Sequence, residues 1–225
     1  MPSTILFPPG AGVIFDMDGL MLDTERIAKL AWQQAARQAG HDMPDALFEK
    51  MIGRTKFDSV GLLQDAFGPD FDFDQAYHNC AAIYQDHVER HGLPLMPGIL
   101  ELLGDLSVRH IPLGVATSTR NPVARHRLEQ TGLLGYFSVL VTGDEIVRGK
   151  PAPDIYLEAA RRLALDPATS FALEDSPAGV RSAHAAGLKV IMVPDLVPPT
   201  PEISTLATLV AKSLHDVRLF FASAT

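Results

Sequence analysis

Apolar positions fall into two alternating textures along this chain. Short, nearly continuous runs of β-branched and aliphatic residues occupy 13–15, 113–116, 139–142, 170–173 and 190–193. Stretches with helical spacing lie near 98–109, 122–130, 153–163 and 177–186. Strands apolar on both faces belong in a parallel sheet, because crossover helices then cover both sides. The pattern predicts an α/β fold built on a doubly wound parallel sheet. Ligands of such sheets bind beyond the carboxyl ends of the strands.

The alternation breaks once. Residues 24–93 read as helix after helix, with Ala, Gln and Leu prominent over 27–39 and a similar stretch over 74–90. The segment Gly92-Leu93-Pro94-Leu95-Met96-Pro97-Gly98 then interrupts, and the α/β pattern resumes. Two parts are expected: a core from 1–23 and 94–225, and an inserted all-helical cap over 24–93. A helical insert between two linkers reads as a lid. Trp32, Phe67 and Phe71 are expected in its core, and Met17 and Met21 read as gap-fillers near the first strand. Near the end, Pro194, Pro198, Pro199 and Pro201 predict a loop before a short strand (206–211) and a helix (214–221).

The chain has 225 residues and is 47% hydrophobic, enough for a substantial core. Its formal charge of −8 argues against nucleic acid or an anionic membrane as partner. A small anion in a local positive pocket stays open. Cys80 is the one cysteine, so no intrachain disulfide forms, which fits a cytoplasmic setting. The first ten residues lack the basic and apolar regions of a secretory signal, and no run is long enough to span a bilayer. A monomer or small homo-oligomer is expected.

The candidate chemistry sits at strand ends. Asp16 and Asp18 follow the first run, two residues apart and therefore on one side. Like charges so placed conflict unless a cation or a proton-transfer role resolves the repulsion. The second run ends in Thr117-Ser118-Thr119-Arg120-Asn121, hydroxyls and backbone N–H groups entering a helix, a natural anion cradle. Lys150 sits in a stiff Gly-Lys-Pro loop, and Glu174-Asp175-Ser176-Pro177 ends the fourth run, with Ser176 placed to cap the next helix. Asp23, before a helix, reads as an N-cap rather than a catalytic group. The eight histidines do not cluster in sequence. Oxygen ligands from Asp16, Asp175 and Glu174 suit Mg²⁺. A carboxylate beside such an ion can attack phosphorus, and a second carboxyl can serve as acid and base.

These residues resemble the four motifs of the haloacid dehalogenase superfamily: the stretch from Asp16 to Glu25, the Thr/Ser strand end, Gly-Lys-Pro-x-Pro, and Glu-Asp-Ser-x-x-Gly. They occur in the family's order across nearly the whole chain. The insert after the first motif resembles the subclass with a helical cap, which includes β-phosphoglucomutase, phosphoglycolate phosphatase and pseudouridine-5′-phosphatases. The resemblance implies Asp16 as nucleophile and Asp18 as acid/base, with Thr117, Ser118 and Lys150 on the phosphate. It implies Mg²⁺ on Asp16, the Asp18 carbonyl and Asp175, with Glu174 as a further contact. Arg54 and the stretch Thr119-Arg120-Asn121 match positions that grip a substrate's second phosphate in the mutases. Dehalogenases lack the second Asp. The mutases carry a cap histidine where this chain has Ala28. The expectation is a Mg²⁺-dependent phosphatase of a small phosphorylated metabolite, with a phosphosugar mutase and a non-catalytic sensor as alternatives.

Overall fold

The computed structural model describes residues 7–52 and 56–222. The chain divides into two compact units, one of 1–22 and 94–225 and one of 23–93. In chain order the elements begin with β1 (Val13–Phe15), then α1 (Thr24–Gln38), α2 (Asp45–Glu49), α3 (Lys56–Phe67) and α4 (Phe73–His91). There follow α5 (Ile99–Val108), β2 (Leu113–Thr117), α6 (Asn121–Gln130), β3 (Val139–Thr142), α7 (Asp154–Arg162), β4 (Phe171–Glu174) and α8 (Pro177–Ala185). The chain ends with β5 (Lys189–Met192), α9 (Pro201–Leu206), β6 (Leu209–Val210) and α10 (Leu214–Ala222). No helix among the described residues is long and apolar enough to cross a membrane.

The strands form one six-stranded parallel sheet in the order β3-β2-β1-β4-β5-β6. This is the expected α/β core. β1 is central: Phe15 pairs with Val115 on one side and Leu173 on the other. Alternate strand residues serve the two faces. Ile14, Ala116, Ala172 and Val190 pack with Tyr156 and Ala159 of α7 and Val180 and Ala183 of α8. On the opposite face Phe171 meets Phe221 of α10 edge-on, with ring centroids 5.2 Å apart. Each Ile, Val or Phe side chain so enclosed contributes roughly 1.5–3 kcal/mol.

The second unit is all helical among its described residues. α1 packs along α4 through Trp32, whose ring lies 5.7 Å from Phe73 and 6.2 Å from Tyr77. Trp32 and Phe71 are buried, and Phe67 stacks on His41 at 4.7 Å and touches Phe71. Met17 and Met21 are fully enclosed in the core unit.

Two local expectations fail. The proline-rich tail is not all loop: α9 occupies Pro201–Leu206, because Thr200 Oγ1 accepts from Ile203 N at 3.3 Å and Pro201 stands where a helix needs no N–H. The last strand is correspondingly confined to Leu209–Val210. Asp23 precedes α1, but its side chain does not cap it; Oδ1 accepts instead from Arg26 Nη1 at 2.9 Å. An arginine one turn on offers a stronger, charged donor than a backbone N–H.

Candidate active site

The first residue past β1 is Asp16, whose N–H still donates to Leu173 O at 3.0 Å. Its carboxylate is thereby fixed at the carboxyl edge, level with Glu174 at the end of β4. Beyond it the chain turns sharply: Gly19, at φ 81°, donates to Leu22 O. Glycine alone takes that left-handed backbone without strain.

Asp16, Glu174 and Lys150 form a buried charged cluster. Lys150 Nζ donates to Asp16 Oδ1 and, at 2.6 Å, to Glu174 Oε1. The Glu174 side chain is completely enclosed, and that of Lys150 is 6% exposed. Tyr156 of α7 completes the group: its hydroxyl donates to Glu174 Oε1 at 2.7 Å, and its ring faces Lys150 Nζ at 5.1 Å. Ser176 Oγ donates to Glu174 Oε2 at 3.2 Å and accepts from Gly179 N at 3.1 Å, so one residue orients the acid and caps α8 as expected.

Burial sets the electrostatics. It pushes the Asp16 carboxyl up to about 8, against the pull of Lys150 and with the help of Glu174. Burial alone would lower Lys150, but Asp16 and Glu174 outweigh it and hold the ammonium above its usual range. The Tyr156 hydroxyl is held well above its ordinary value by burial and the nearby acids. Oxygens of Asp16, Glu174 and Asp175 lie within 4.8 Å of one another, a group of three buried acids. The all-oxygen donor set fits a hard divalent cation.

Asp18 is held elsewhere. Thr119 Oγ1 donates to Asp18 Oδ2 and Arg127 Nη1 to Asp18 Oδ1, both at 2.7 Å. Thr117 is buried, and its Oγ1 accepts from Thr119 N at 3.1 Å, which leaves its own proton to donate. Ser118 and Arg120 are exposed. Asn121 N donates to Asp144 Oδ1 at 2.8 Å, so a carboxylate from the β3 end already satisfies this N–H at the start of α6. The two loops approach closely at Gly143, where a Cβ would stand 2.2 Å from Ser118 O. Arg54 lies outside the described residues.

Of the residues read from sequence, Asp16, Lys150, Glu174 and Asp175 meet in one cluster, and Asp18 and Thr117 stand at adjoining strand ends. Tyr156 and Arg127 were not singled out. Both had a signal: Tyr156 is a polar-tipped aromatic on the apolar face of α7, and Arg127 is a cation beside Leu128 and three residues after Ala124, both buried on α6.

Comparisons with known proteins bear on the family and the fold. Residues 13–193 match the family model described as haloacid dehalogenase-like hydrolase. The chain is 34% identical over 206 residues to hexitol phosphatase A of Escherichia coli (strain K12), covering 92% of each chain. It is 32% identical over 182 residues to the phosphorylated carbohydrates phosphatase of Thermotoga maritima, covering 80% of this chain and 82% of that one. A crystal structure of a hydrolase of the same family from Deinococcus radiodurans R1, with bound phosphate and sodium, superposes with a TM-score of 0.77 at 26% identity over 96% of both chains. With the ordered motifs, the sheet and the acidic cluster in agreement, this chain belongs to the haloacid dehalogenase-like hydrolase family.

Proposed function

We propose that this protein is a phosphatase that hydrolyses a small phosphomonoester, a sugar or nucleoside phosphate, through an aspartyl-phosphate on Asp16. The observation that carries the reading is the buried Asp16 carboxylate at the end of the central strand, bonded to Lys150 beside two further acids. The relatives named as hexitol and phosphorylated-carbohydrate phosphatases support the substrate class.

In the first transfer an Asp16 oxygen attacks phosphorus and the bond to the alcohol oxygen breaks. Asp18 gives that oxygen its proton. In the second, water attacks phosphorus, its proton passes to Asp18, and the acyl-phosphate bond breaks to return the Asp16 carboxylate and inorganic phosphate. Lys150 and the Thr117 hydroxyl bind the phosphoryl oxygens, with Ser118 at the rim. Mg²⁺ held by Asp16, Asp175 and the Asp18 carbonyl, with Glu174 behind them, would neutralise the charge between phosphate and nucleophile. Ala28, in place of the mutases' histidine, favours water over a second sugar as acceptor. Arg54, Arg120 and Asn121 are assigned to the part of the substrate beyond the phosphate.

The test is inorganic phosphate release across a panel of hexitol, hexose, nucleoside and glycerol monophosphates, with and without Mg²⁺. Metal-dependent release that vanishes in Asp16→Asn is the expected result. Full release by that variant would end the reading.

A further inference from the structure

The two acids of the first motif are each held by a cation, and the cations come from different elements. Asp16 is bonded to Lys150, ahead of α7, and Asp18 to Arg127, on α6. Arg127 reaches back across 109 residues of sequence to Asp18 Oδ1, while Thr119 takes Oδ2. Both Asp18 oxygens are therefore occupied, one by a planar guanidinium and one by a hydroxyl. The Arg127 and Asp18 side chains are 19% and 21% exposed, so solvent screens the pair. Such a pair adds little to the stability of the fold. Its consequence is orientation: a carboxyl held at both oxygens has lost the freedom of its two side-chain torsions. An acid/base group has to lie within hydrogen-bond reach of the oxygen it serves, and small misplacements are costly. Asp16, two residues earlier, is held by a different cation, Lys150.

We infer that Arg127 is a positioning residue for Asp18, setting where that carboxyl stands for proton transfer to the leaving oxygen. The inference rests on the reading of Asp18 as acid/base given above. A lysine would not replace Arg127 fully, because it offers a point charge where arginine offers a flat, pre-organised fork.

Leaving groups separate positioning from a merely structural role. An alkoxide needs a proton as it departs; a nitrophenolate does not. The full-length protein with Mg²⁺ is compared in single turnovers on sorbitol 6-phosphate and p-nitrophenyl phosphate. Arg127→Ala is expected to slow sorbitol release about 10- to 100-fold, and p-nitrophenol release less than about 3-fold. Arg127→Lys recovers part of the alkyl rate. Equal slowing of both esters, or slowing of neither, overturns the inference. If the alanine variant fails to fold, Arg127→Gln and Arg127→Lys carry the same comparison. Asp16→Asn, run alongside, separates the two claims. Loss of both rates there keeps the aspartyl-phosphate reading whatever Arg127 does, and retained rates would remove the reading itself.

Discussion

The Glu174 carboxylate occupies the space that a side chain at Gly179 would need. A Cβ at 179 would stand 1.9 Å from both the carboxyl carbon and Oε1 of Glu174. The last glycine of the Glu-Asp-Ser-x-x-Gly stretch is therefore required by its neighbour's size rather than by its own backbone angles. Gly179→Ala must push Glu174 off Lys150 and Tyr156. Overpacking of this kind costs about 1–3 kcal/mol. Urea unfolding should show that loss, and phosphate release should fall with it.

Tyr156→Phe keeps the ring beside Lys150 and deletes one donor to a fully buried acid. Leaving a buried carboxylate short of a partner costs about 1–3 kcal/mol. The expected result is a lower urea midpoint with an unchanged slope. A midpoint equal to that of the parent protein would mean that Lys150 and Ser176 satisfy Glu174 unaided.

Asp144 links acidity to the start of α6. Its carboxyl is held below the usual range, first by the Asn121 N–H and then by the Thr142 hydroxyl. A depressed acid adds stability above its ordinary value, 3.8, and that stability is lost as the pH falls through the lower folded value. Asp144→Ala should therefore melt below the parent at neutral pH, with the gap closing as the medium is acidified below 3.8. A gap independent of pH would mean that the carboxylate's charge is irrelevant to the cap.

Cys80 is buried in α4, and burial pushes its thiol up to about 12. The thiolate is the reactive form. Ellman's reagent at pH 8 should leave the native protein unlabelled and react with one thiol in denaturant. Fast native labelling would mean that α4 opens readily.

Most of the sheet was legible because its strands are short apolar runs bounded by turn residues. β1 and β3 have the limits their runs suggested, and β5 is shifted one residue earlier at both ends: Lys189 joins the ladder through its backbone while its side chain stays exposed, and Val193 lies past its end. α9 was hidden by its prolines. Pro201 breaks a helix interior but suits a first turn, and only the position of Thr200 separates the two cases. At the site, the residues on strand ends were legible because topology brings every such end to one edge. Tyr156 and Arg127 were not, since each sits within a helix and acts on a partner 18 or 109 residues away. Helical spacing reports which face a residue is on, not what stands across from it.

The central place of β1 has a consequence during synthesis. Val13 pairs with Leu113 and Phe171, so the strand that carries Asp16 has neither neighbour until long after it leaves the ribosome. The helices of 23–93 emerge in between, with contacts that lie close in sequence and form early. The nascent chain thus holds an unpaired, wholly apolar strand until the first half of the 225 residues has been made. Its brevity, three residues, limits how well a foreign strand can pair with it.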